Sequence, residues 1–116
     1  MAEVDRGKVR RAFAEAVNMT AAELDRWLRT EESRKVGWKG ADGSRTESIG
    51  HASGRRIVKI LRKGNAEPGA DDYAHMRKVV GYIRRHTAQR PQNIYTSRWR
   101  YSLMNWGHDP LKEDKG

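Results

Sequence analysis

Cysteine is absent from this chain, which excludes disulfides, thiolate catalysis and every cysteine-based zinc site. No apolar run approaches the roughly 18 residues of a membrane-spanning helix, and the first residues hold no apolar core of a secretory leader. Both absences lead to the expectation of a soluble, cytoplasmic protein with no membrane partner. Acidic residues are few beside basic ones: 15 Asp plus Glu face 24 Lys plus Arg, for a net charge of +9. With a sequence pI near 10.3, that imbalance is the electrostatic footprint of a nucleic-acid binder. The cations are spread as pairs along the chain and are not gathered in a tail. This favours a folded basic surface over a polybasic membrane anchor.

Strand-like alternation is also missing, and what is present is helical spacing. At 116 residues the chain is expected to form one domain. Val9, Ala12, Phe13, Ala16 and Val17 make the apolar stripe of a first helix over Asp5 to Val17. Thr20 and Glu23 form a capping box that starts a second, with Leu24, Trp27 and Leu28 as its buried face. Arg34 to Gly50 has four glycines and no period, so it reads as a long loop, with Val36 and Trp38 tethering it to the core.

The next stretch, S-G-R-R-I-V-K-I-L-R-K from Ser53 to Lys63, organises the reading. At about 100° per residue, Ile57, Val58, Ile60 and Leu61 share one helical face, while Arg55, Arg56, Lys59, Arg62 and Lys63 fall on the other. Ser53 or Ser48 caps this helix and Gly64 stops it. Asp71 or Asp72 then caps a fourth helix running to about His86, with Tyr73, Met76, Val79, Val80 and Ile83 on its apolar face. Arg77, Lys78, Arg84 and Arg85 lie together elsewhere on it, with Gly81 among them; a glycine there admits a neighbouring helix or a phosphate backbone. Arg84, Arg85 and His86 also sit at the helix C-terminus, where the dipole accounts for them structurally. A last helix begins after Thr96 or Ser97 and stops at Gly107, carrying Trp99, Leu103 and Trp106 on its apolar side and Arg98, Tyr101 and Asn105 opposite. The expected fold is therefore all-α: a compact single domain of about five helices over residues 1–111, with one long Gly-rich loop and a frayed tail over 112–116.

Catalytic and cofactor constellations are missing as well. His51, His75, His86 and His108 never recur at i, i+3 or i+4, and no H-E-x-x-H occurs. Structural hydrogen bonding is expected of them, and no metal or cofactor. Ser53 in G-H-A-S-G is not a G-x-S-x-G elbow, and no Walker-type loop is present, so no enzyme is expected. What remains is binding. Arg55, Arg56, Lys59, Arg62 and Lys63, helped by Arg77 and Lys78, would neutralise phosphates. Arg98, Tyr101 and Asn105 would supply base contacts or stacking.

Across most of the chain the motifs also resemble a known family. They are N-M-T-x-x-E-L-x-x-W-L (Asn18 to Leu28), S-x-x-V-G-W (Ser33 to Trp38), G-H-x-S-G-R-R-I-V (Gly50 to Val58) and D-D-Y-A-H-M-R-K-V-V-G-Y (Asp71 to Tyr82). H-x-A-Q-R-P (His86 to Pro91) and R-W-R-Y-S-L-M-N-W-G-H-D-P (Arg98 to Pro110) continue the series in the same order. The resemblance is to a small uncharacterised bacterial family, some of whose members carry a DNA-binding label. It implies that label and no mechanism. The expectation is thus a small basic helical protein that binds nucleic acid, DNA in preference to RNA, mainly through phosphates, as a nucleoid or accessory factor. The alternative is a protein–protein interaction or stress-associated structural module with an acidic partner.

Overall fold

A computed structural model of the chain describes residues 5–37, 39, 47–64, 66–92 and 97–113. Among them every regular element is a helix: α1 (Arg6–Ala16), α2 (Ala21–Leu28), α3 (Glu31–Lys35), α4 (Ile49–Arg62), α5 (Ala70–Thr87), α6 (Arg98–Asn105) and α7 (Pro110–Glu113). The fold is all-α, as the periodicity predicts, with seven helices described where about five are expected. The two extra ones are short. α3 forms because the Thr30 hydroxyl accepts from the Ser33 N–H, so residues 34 and 35 are helical and not loop. α7 takes up Lys112, which donates to the Asn18 carbonyl and the Glu23 carboxylate where a frayed tail is expected. Trp38, Arg45 and most of the expected Gly-rich loop lie outside the described residues, but Val36 is buried.

Local chemistry sets the helix ends. The Thr20–Glu23 capping box is complete. Ser48, not Ser53, caps α4 by accepting from the His51 N–H, which moves the start of that helix back to Ile49. α5 starts from Gly69, whose N–H donates to Asp72, so the aspartate closes the first turn without itself being the cap residue. Gly107 ends the α6 region with a φ of 86°, a left-handed conformation that side chains disfavour.

α1 packs chiefly on α5 and α2 on α4, while α6 touches α2, α3, α4 and α5. The core is filled by Phe13, Leu24, Ile57, Val79, Val80, Ile83, Leu103 and Trp106, with Trp27, Leu61 and Trp99 half-buried around it. The radius of gyration, 14.2 Å, is close to the roughly 13–14 Å of a compact chain of this length. α4 passes close to α6 at Gly54, where a Cβ would stand 2.4 Å from the Asn105 carbonyl oxygen. Five near-parallel rings join α5 to α6 in the order Trp99, His86, Tyr82, Trp106, His75, with centroid spacings of 6.1, 5.0, 4.3 and 6.3 Å. The segment before α2 is tied to the end of the chain by Asn18, which exchanges two hydrogen bonds with the backbone of Asp109.

Candidate nucleic-acid interface

α4 presents its cations outward, as its two-faced sequence requires, but carboxylates from other elements meet most of them. Arg55 grips Glu47 through two bonds, Nε to Oε2 at 2.7 Å and Nη2 to Oε1 at 2.6 Å. Glu47 also bonds the ring of His51, whose other nitrogen faces the Leu28 carbonyl. The Arg55 bond, joined by His51 and opposed by partial burial, holds the Glu47 carboxyl down to about 2. Asp72 pairs with both Arg56 at 3.5 Å and Lys63, and the Lys63 bond is the main reason its carboxyl sits below the ordinary range. Arg62 lies 3.6 Å from Asp25, which Arg29 shares. Among the five α4 cations only Lys59 meets no carboxylate of the described residues.

α5 differs. Arg77, Lys78, Arg84 and Arg85 are all exposed, and none pairs with a carboxylate among the described residues. From Arg77 to Arg85 the helix rises about 12 Å, or three to four base-pair steps. Arg77 and Arg84 border a groove of about 440 Å³ shared with α1, whose own contribution is Lys8, Val9 and Ala12. Val80 and Gly81 complete its floor. The atoms nearest to a Cβ on Gly81 belong to a side chain of α5 itself and not to the backbone of a neighbouring helix. The glycine makes room for the folded-back guanidinium of Arg85, 3.0 Å from where a Cβ would stand.

The α6 trio does not form a reading edge. Asn105 is only 1% exposed. Its Oδ1 accepts from Trp27 Nε1 at 2.7 Å and from the Ser33 hydroxyl, and its Nδ2 donates to the Ser33 carbonyl at 3.0 Å. Contact with a base is therefore closed to it, because α2 and α3 cover the face that the helical spacing leaves open. Tyr101 is half-buried with its ring on Trp27, centroids 5.3 Å apart. Arg98 is exposed, its Nη2 3.5 Å from the Lys35 carbonyl.

Sequence reasoning set aside Arg84 and Arg85 because the helix dipole accounts for cations in a last turn. The signal that separates α5 from α4 is the position of the acids, which depends on which helices are neighbours. Ser53 Oγ and His75 Nε2 lie 2.9 Å apart, but Ser53 is 4% exposed in mid-helix, and the pair joins α4 to α5. Burial, with Arg56 and Lys78 nearby, pushes the His75 ring below its ordinary value. Among the described residues no group of three or more His, Asp or Glu is arranged to hold a metal, and no helix is long and apolar enough to cross a membrane.

A model of the family described as protein of unknown function (DUF3140) matches residues 12–104, which is most of the chain, and the chain belongs to that family. No curated protein sequence matches it. No solved structure matches it either.

Proposed function

We propose that this member of the DUF3140 family is a small basic protein that binds nucleic acid, duplex DNA in preference to RNA, through phosphate contacts. The observation that carries the reading is the α5 ridge: Arg77, Lys78, Arg84 and Arg85 are exposed, close together and without carboxylate partners among the described residues, with Lys8 across the groove. Cations with no internal partner give up little when they meet a phosphate. Those of α4 must first exchange Glu47, Asp72 or Asp25 for it. Lys59 and Arg98 are auxiliary contacts, and Arg55, Arg56, Arg62 and Lys63 contribute field more than direct bonds. With no base-reading edge on α6, binding is expected to be largely indifferent to sequence. A bacterial nucleoid or accessory factor in the cytoplasm fits this description.

The test compares duplex binding by wild type, Arg77→Gln/Arg84→Gln and Arg55→Gln/Arg62→Gln in fluorescence anisotropy. The α5 pair is expected to weaken binding tenfold or more and the α4 pair to weaken it less. Equal loss in both, or no binding by the folded wild type at low salt, contradicts the reading. One observation favours the alternative of an acidic protein partner: the apolar floor of the α1–α5 groove, Val9, Ala12 and Val80, which suits an amphipathic acidic segment. Displacement of labelled duplex by an acidic amphipathic peptide, but not by an equally charged polyglutamate, would favour it.

A further inference from the structure

The start of α4 and the facing sides of α5 and α6 enclose a cleft of about 310 Å³. Lys78 and Arg85, two turns apart on α5, stand in its wall with Tyr82, Ser102 and Trp106, and no carboxylate is among the described residues that line it. The side chains of Tyr82 and Ser102 lie beside each other in that wall. Trp106 is 5% exposed, yet its indole N–H donates to no other described residue. That nitrogen lies 2.9 Å from where a Cβ on Gly50 would stand, so only glycine there leaves it unobstructed. Gly50 itself is in the first turn of α4, where backbone N–H groups lack intrahelical acceptors and the positive end of the dipole lies.

We propose that this cleft binds a phosphate monoester group. Two cationic residues, the indole N–H of a largely buried tryptophan, a hydroxyl and a helix N-terminus line one space, with no carboxylate among the described residues there. A monoester phosphate carries a charge of about −1.5 to −2 and three acceptor oxygens, which answers both the charge and the number of donors. A single carboxylate leaves one cation uncompensated and donors unused. The group arrives on a small phosphorylated molecule or as the 5′-terminal phosphate of a nucleic-acid strand. The inference rests on the cleft alone and does not require the duplex reading.

The experiment follows the Trp106 indole N–H resonance in a two-dimensional ¹H–¹⁵N spectrum while adenosine 5′-monophosphate is added, with acetate at equal ionic strength as control. A saturable shift of that resonance with the monophosphate and none with acetate is expected. Lys78→Gln/Arg85→Gln, both surface changes, should weaken binding at least tenfold with the circular dichroism spectrum unchanged. Ser102→Glu, which places a carboxylate among the donors, should abolish it. Arg77→Gln/Arg84→Gln should leave it intact, because neither of these ridge residues lines the cleft. A preference for a 5′-phosphorylated over a 5′-hydroxyl oligonucleotide assigns the terminal phosphate. Equal binding of the two, with the monophosphate still bound, assigns the small molecule. An indole resonance that does not move, that moves equally with acetate, or that saturates unchanged in the Lys78→Gln/Arg85→Gln protein overturns the proposal.

Discussion

Asn105 holds α2, α3 and α6 together through one amide group, since both of its polar atoms are spent on Trp27 and Ser33. Asn105→Ala strands a part-buried indole N–H together with the buried hydroxyl and carbonyl of Ser33. At about 1–3 kcal/mol for a buried group left unsatisfied, with partial relaxation, a loss of about 3 kcal/mol is expected in urea denaturation. Helical spacing put this residue on α6 opposite the tryptophans, and that placement holds. The sequence carries no sign that α3 exists to cover it, because α3 is a five-residue helix with no apolar period of its own. His86 is the opposite case. Its ring is stacked in the α5–α6 ladder, and its buried Nε2 makes no hydrogen bond within the described protein. Burial holds the ring below its ordinary value near 6.5. His86→Phe keeps the stack and removes the stranded nitrogen, so stability at pH 7 should rise by about 1 kcal/mol in the same assay.

At the scale of elements, α4 and α5 look alike in sequence, each with an apolar face and a row of cations, and packing makes them different. Glu47 and Asp72 stand just before or near the start of helices, where capping and solvation explain them, and only the packed structure turns them towards Arg55, Arg56 and Lys63. The apolar faces, the Thr20–Glu23 box and the stop at Gly64 were legible because each is a local rule. The pairing of charges between helices was not, because it depends on long-range neighbours. The α4–α6 crossing offers a direct check on the packing. Gly54→Ala sets a methyl group against backbone, which cannot turn aside as a side chain can. The cost should be about 1–3 kcal/mol in thermal or urea unfolding. Gly64→Ala, at a position with open space but a φ of 58°, should cost only about 1 kcal/mol.

For the whole molecule, stability follows from where the charge is held, and so would the proposed binding. The half-buried rings of His75 and His86 have depressed proton affinity when folded, so the unfolded chain binds protons more readily. Their contribution is complete above about pH 6.5 and is lost as pH falls below it. Glu47 and Glu23 are held near 2 by their cationic partners, against an ordinary value of 4.5. Their contribution is complete above 4.5 and is lost as pH falls towards 2. The melting temperature should therefore decline in two stages on acidification, and the first stage should shrink in His86→Phe. A net charge of +9 alone attracts polyanions weakly and without geometry; the proposed ridge, whose cations have no carboxylate partner among the described residues, would make discrete contacts and release counterions in proportion. The most direct test is the salt dependence of duplex affinity, by anisotropy from low to moderate salt, for wild type and for Arg77→Glu/Arg84→Glu. With roughly four to five phosphates engaged, log K should fall against log salt with a slope of about −4, and the variant should lose affinity and flatten to about −2. A wild-type slope near zero, or a variant that keeps both the affinity and the slope of the wild type, would contradict the account.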